Sequence, residues 1–116
     1  MKKPLRFHIS SHLLIRNLAR IYWRIGGLLV LLLVMVISAG ILMAYLDGKG
    51  IADGLYLAFI TALTIGYGDV TPESPLSKVL AIVTGGIGIL FTGIVVAVTL
   101  KALEMTINEQ ENEDNQ

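Results

Sequence analysis

The chain has 116 residues, of which 54% are hydrophobic and 16% charged, and its formal net charge is zero. A soluble domain carries about 25% charged residues, and a core of this length needs more polar surface than the composition offers, so an ordinary soluble globule is disfavoured. Disorder, which needs low hydrophobicity and high net charge, is disfavoured too. The absence of cysteine removes disulfide frameworks, zinc ribbons and thiol chemistry, and the length allows one domain at most.

The zero is a cancellation. Residues 1–24 hold Lys2, Lys3, Arg6, Arg16, Arg20 and Arg24 and no acid, a charge of +6. The stretch from Asp47 to Lys78 carries −2. Residues 101–116, with Glu104, Glu109, Glu111, Glu113 and Asp114 against Lys101, carry −4. A basic amino end suits nucleic acid or an anionic membrane surface. The long apolar run directly after it selects the membrane and leaves no role for nucleic acid.

In chain order, residues 1–24 read as a basic amphipathic helix at the cytoplasmic interface. Arg16, Arg20 and Arg24 are four apart, with Leu14, Leu18 and Ile21 on the other side. Such a helix can slide along the membrane and couple to movement of the spans, or it can be a topology signal drawn to anionic lipid of the inner leaflet at about 1 kcal/mol per basic residue; the second reading is the simpler. His8 and His12, also four apart, have no third ligand nearby and read as interfacial side chains rather than a metal site. Ile25–Leu46 is 22 residues without a charge, enough for a helix to cross ~30 Å of hydrocarbon. It is too long, and comes after too long a basic segment, for a cleaved signal.

Residues 47–53 read as an outer turret, where Gly48 and Gly50 can stop the first span and Asp53 can cap the next helix. Gly54–Gly68 holds 15 uncharged residues, too few to span as a helix. It suits a re-entrant segment, with a short helix over 54–64 and an extended stretch over 64–69. The loop 70–75 is turn-like and exposed. Ser74 and Pro75 read as N-cap and first helical residue of the second span, in which Val79–Leu100 is again 22 residues without a charge. This inner helix is expected over 76–107, with an acidic, disordered tail over 108–116.

Six Lys/Arg precede the first span, against Lys49 and Lys78 between the spans. The positive-inside rule therefore places both termini in the cytoplasm, with Tyr22 and Trp23 at the inner interface and Tyr45 at the outer one. Irregular backbone cannot face lipid, because unpaired N–H and C=O groups there cost several kcal/mol each. One chain with two spans cannot enclose Gly54–Gly68, so the sequence implies an oligomer.

The informative stretch is Thr64-Ile65-Gly66-Tyr67-Gly68-Asp69. A pore that passes K+ must replace the ion's hydration oxygens with rings of protein oxygens at successive levels. An extended strand points its carbonyls to alternate sides, and glycine at every second position permits the left-handed conformations that bring them to one side. Thr64 adds a hydroxyl oxygen at the inner end, Tyr67 can brace the strand from behind, and Asp69 stands at the outer mouth.

This TIGYGD stretch closely resembles the potassium-channel signature. The order span, pore helix, filter, span, over about Leu28 to Leu100, resembles the two-transmembrane potassium channels of prokaryotes. The resemblance implies an all-α membrane protein: two transmembrane helices flanking a re-entrant pore helix and an extended selectivity filter, assembled as a homotetramer. It implies K+ as the ion carried, held by the carbonyls of Thr64, Ile65, Gly66 and Tyr67 and the Thr64 hydroxyl, with Gly68 closing the filter. Ile65 stands where the family most often has valine. Gly88 occupies the place of the inner-helix hinge glycine, and Thr92 and Val96, one and two turns below it, would face the cavity or gate.

Two departures matter. Relatives often have two adjacent aromatics in the pore helix; here they are Tyr56 and Leu57. Tyr56 can offer its hydroxyl to Asp69, but Leu57 cannot donate to Tyr67, whose hydroxyl would then rely on Thr61. The brace should be weaker by about 1 kcal/mol per subunit, and the filter more prone to collapse in low K+. Ile60 stands where some relatives have a buried glutamate paired with the mouth aspartate, so that pair is missing.

The glycines Gly85, Gly86, Gly88 and Gly93 do not form a phosphate loop, because G-x-G-x-x-G would need glycine at Phe91. They suit close helix packing, a hinge, or both. No nucleophile–base pair or metal triad indicates an enzyme or a small-molecule substrate. A weakly selective cation pore and a non-conducting accessory subunit are the alternatives, and the intact GYGD argues against both. No nucleotide, calcium or voltage-sensing segment is visible, so the chain reads as a bare pore or as the pore of something longer. Protons, voltage, lipid and tension all remain open as the gating stimulus, with His8, His12 and the acidic tail compatible with the first.

Overall fold

The computed structural model describes residues 9–116, which form three helices: α1 (Ser11–Asp47), α2 (Ile51–Ala62) and α3 (Pro75–Asp114). There is no strand among the described residues. Two of the helices, α1 and α3, are long and apolar enough to cross a membrane.

The helices are longer than their uncharged runs. The 37 residues of α1 take in Arg16, Arg20 and Arg24 without a break, so the expected boundary at 24/25 is not an end of the helix. No proline interrupts the junction, and Gly26-Gly27 inside an otherwise strong helical stretch costs too little to stop it. His8 lies outside the described residues, and with it the reading of His8 and His12 as a pair. Similarly, the 40 residues of α3 continue through the acidic end to Asp114, in place of the disordered tail expected from 108. Residues 94–114 contain neither glycine nor proline, and Glu and Gln are good helix formers.

Helix α1 stops by a Schellman turn. Gly48 has φ +64°, its N–H donates to the Tyr45 carbonyl at 3.4 Å, and the Lys49 N–H donates to the Ala44 carbonyl at 2.9 Å. The turn is so tight that α2 begins already at Ile51. Its N-cap is Gly50, in extended conformation, rather than Asp53. Asp53 instead lies in the first turn, where a carboxylate favours the positive helix end. The expectation for α3 is met: the Ser74 hydroxyl accepts the Ser77 N–H at 3.2 Å, with Pro75 as the first helical residue.

The chain divides into two compact units, residues 26–95 and residues 1–25 with 96–116. In the first, Leu32, Val36 and Met43 of α1 pack with Leu57, Ala58 and Ala62 of α2 and Ile87 of α3. Where α1 and α2 touch, glycines face each other. A Cβ on Gly40 would stand 2.9 Å from the Gly54 carbonyl oxygen, and one on Gly54 would stand 2.5 Å from the Ala44 Cβ. Gly40 and Ala44 on α1 are matched by Gly54 and Ala58 on α2. These are two small-xxx-small pairs that let the backbones approach closely.

In the second unit, α1 and α3 meet through polar groups. Asn17 and Thr106 are fully buried, and Asn17 Nδ2 donates to Thr106 Oγ1 at 3.2 Å. Arg16 pairs with Glu109 at 3.4 Å on the surface. The basic segment is thus packed against α3 here, which the reading of it as a free-lying interfacial helix does not foresee.

Candidate functional site

The site begins where α2 ends. Four successive N–H groups fold back onto its last carbonyls: Leu63 to Phe59 at 2.9 Å, Thr64 to Thr61 at 3.1 Å, and both Ile65 and Gly66 to Ile60, at 2.8 and 3.1 Å. These bonds satisfy carbonyls that a helix end leaves without partners. They also spend the donors of the next stretch on the helix. Among the described residues, no N–H or hydroxyl donates to the carbonyls of Thr64, Ile65, Gly66 or Tyr67.

The backbone over this stretch alternates. Thr64, Gly66 and Gly68 have φ of +59°, +57° and +82°, while Ile65 and Tyr67 do not enter the positive region. Changing the sign of φ at every second residue undoes the two-sided alternation of a strand and lets neighbouring carbonyls share one side. For the glycines this is free of strain. For Thr64 it is not: a β-branched residue at positive φ is an outlier costing roughly 1–3 kcal/mol. The glycine spacing announces positions 66 and 68 but gives no sign of Thr64, because threonine is a residue that normally avoids that conformation.

A row of unpaired carbonyls that can share one side is the kind of oxygen set that could take the place of a cation's hydration shell. Residues 64–69 are all exposed in the single chain, Tyr67 to 70%, so the row is open on its far side.

Of the expected supports, Tyr56 is placed as the sequence suggests and Thr61 is not. Tyr56 OH donates to Asp69 Oδ2 at 2.9 Å, tying the middle of α2 to the residue after the filter stretch. Thr61, by contrast, donates its hydroxyl to the Leu57 carbonyl at 2.6 Å, so within the chain its proton does not brace Tyr67. A threonine on a helix reaches its own i−4 carbonyl readily, and that local bond wins.

Gly88 is buried against the end of α2. A Cβ there would overlap the Ala62 carbonyl oxygen and stand 2.5 Å from the Ala62 C and Cα atoms. The position therefore requires glycine for packing, and α3 runs through it unbroken. Thr92 and Val96 are exposed further along α3, and nothing lies within 4 Å of a Cβ on Gly93.

The loop before α3 is held by a carboxylate that the sequence does not single out. Asp47 Oδ1 accepts the Ser74 N–H at 3.0 Å, and Oδ2 accepts the Glu73 N–H at 3.0 Å and the Ser77 hydroxyl at 2.8 Å. The last residue of α1 thus caps the start of α3. These bonds, that from the Glu73 N–H foremost, hold the carboxyl well below its ordinary range. Lys49 Nζ donates to the Thr71 carbonyl at 2.6 Å and pairs with Glu73 at 3.1 Å.

Comparison with known proteins agrees with this geometry. Residues 29–105 match the family described as "Ion channel". Over 60 residues the chain is 42% identical to the intermediate conductance calcium-activated potassium channel protein 4 of Rattus norvegicus, covering 52% of this chain and 14% of that one. It is 46% identical over 46 residues to a voltage-gated potassium channel of Aeropyrum pernix, covering 40% and 14%. Over 77 residues it is 38% identical to two-pore potassium channel 3 of Arabidopsis thaliana, covering 55% and 18%. The matches take in less than a fifth of each relative's length. No solved structure matches significantly.

Proposed function

The chain belongs to the ion channel family, as a potassium-channel pore with two membrane-crossing helices, and from that premise we propose that it is a K+-selective channel formed by four copies around one axis. The observation that carries the reading is the run of unpaired carbonyls at Thr64, Ile65, Gly66 and Tyr67 with alternating φ. Four such rows, closed on their exposed sides by one another, make stacked rings of oxygens. The Thr64 hydroxyls add the innermost ring, and Gly68 and Asp69 form the outer mouth. K+ enters, exchanges its water for these oxygens and moves on by displacement from the next ion.

Supporting features have a physical logic. Each α2 aims its negative C-terminal end toward the inner side of the filter, favouring a cation there. The segment between the spans carries −2 per chain, or −8 for four copies, which raises the local cation concentration. The Tyr56–Asp69 bond braces the filter, and Thr61, its hydroxyl bonded to the Leu57 carbonyl, supports it only through the helix it stabilises. Gly88, packed against Ala62, would be the fixed point of a hinge, and the part of the inner helix below it, with Thr92 and Val96, would be the moving part where the gate lies. We place the protein in the cell membrane with both termini in the cytoplasm, its basic amino end against anionic lipid of the inner leaflet.

Planar-bilayer recording of the purified protein tests this. The current should reverse near the K+ equilibrium potential under opposed K+ and Na+ gradients. A reversal potential that ignores the K+ gradient would exclude it.

A further inference from the structure

The buried contact between Asn17 and Thr106 is only half satisfied. Thr106 has one hydroxyl proton and gives it to the Ala102 carbonyl at 2.8 Å, while its oxygen accepts from Asn17 Nδ2 at 3.2 Å. Asn17 Oδ1 is buried with no partner. Turning the amide over would only exchange one orphan for the other, because Thr106 cannot donate twice. An amide placed this way gains one hydrogen bond by packing and loses one acceptor's hydration. Its balance between packed and separated states is therefore close to even.

The location makes separation feasible. Asn17 precedes the uncharged run of α1 by eight residues and Thr106 comes after that of α3 by six, about 12 and 9 Å of helix respectively. Both lie beyond the hydrocarbon, so water can take over their hydrogen bonds when the helices part. Val96, proposed for the gate, is in the same compact unit.

We infer that Asn17 and Thr106 form a weakly biased latch between α1 and α3 that sets the resting equilibrium of the gate. This rests on the channel reading above. The orphaned Oδ1 favours opening, the Nδ2–Oγ1 bond favours closing, and the pair holds the equilibrium within reach of a modest stimulus. The exposed Arg16–Glu109 pair beside it contributes little, as surface ion pairs do.

Opposite substitutions should then act in opposite directions. Thr106→Val leaves the whole Asn17 amide buried without a partner and should raise the open-to-closed ratio by about fivefold per subunit, the usual cost of an orphaned donor. Asn17→Leu removes the orphan and packs an apolar side chain of similar size, so it should lower the ratio. Thr106→Ser keeps the hydroxyl and should behave as the parent. Single-channel recordings in planar bilayers read open probability, and reversal potential in the same patch confirms K+ selectivity. Opposite shifts with unchanged reversal potential support the latch. Shifts of the same sign, or unaltered open probability with K+-selective current, overturn it. Should Asn17→Leu fail to assemble, Thr106→Val against Thr106→Ser decides alone: a rise in the first and none in the second supports the latch, and any other pattern overturns it. A preparation whose current is not K+-selective overturns the channel reading, and the latch with it.

Discussion

Tyr56 and Asp69 are joined by a 2.9 Å hydrogen bond from phenol to carboxylate, and this bond ties the helix before the filter stretch to the residue after it. Both groups are exposed in the single chain, so water competes for each of them and the bond is weaker than a buried charged pair. With Leu57 apolar and Thr61 bonded to its own helix, neither of these two side chains hydrogen-bonds the 64–68 stretch. Tyr56→Phe should leave assembly intact and speed the decline of K+ current several-fold when external K+ is lowered, as measured by macroscopic current decay. Decay at the parent rate would show that the bond does not restrain the filter.

Thr64 combines an oxygen with a costly backbone conformation. Thr64→Ser keeps the hydroxyl and lacks the second branch that makes positive φ expensive, so it should retain K+-selective conductance near that of the parent. Thr64→Val keeps the shape but removes the oxygen, and its single-channel conductance should fall by an order of magnitude or so, the loss of one hydrogen-bonding-strength ligand from each subunit. Equal conductances for the two variants would dissociate the hydroxyl from ion passage.

The two glycines of α3 should respond unequally to alanine. Gly88→Ala places a methyl into the Ala62 backbone, which has no freedom to yield, and should cost roughly 1–3 kcal/mol as overpacking does. Gly93→Ala meets nothing within 4 Å and gains helix propensity. Tetramer yield and thermal midpoint in detergent should fall for the first and hold for the second. The reverse order would remove the packing role of Gly88.

Asp47 makes the junction between α1 and the start of α3 sensitive to acid in a definite direction. Its carboxyl is held below the ordinary value of 3.8, so its contribution is complete above that value and is lost as pH falls below it toward the depressed folded value. The thermal midpoint of the parent should exceed that of Asp47→Ala at pH 7, and the gap should stay constant down to about pH 4 and then narrow. A gap that already narrows between pH 7 and 5 would assign the acid sensitivity to another group.

Local features were legible in the amino-acid order. Uncharged runs of 22 residues announce two spans because crossing hydrocarbon is a matter of consecutive apolar residues. The TIGYGD stretch is legible because glycine at alternate positions is a backbone instruction, and Ser74-Pro75 is legible because capping is completed within four residues. Helix ends are less so: Gly48 is recognisable as a stop, but how soon α2 restarts depends on the turn it makes, and the acidic end of α3 carries no breaker to read. Contacts between helices needed the folded chain. Gly40 against Gly54, Gly88 against Ala62, Asp47 capping α3 and Asn17 meeting Thr106 across 89 positions all depend on where helices cross. The matched Gly-x-x-x-Ala pairs at 40–44 and 54–58 are a signal for one of these contacts. For the others no spacing rule exists, because a side chain's partner on a distant helix is set by crossing angle and rotation, which no local run of residues specifies.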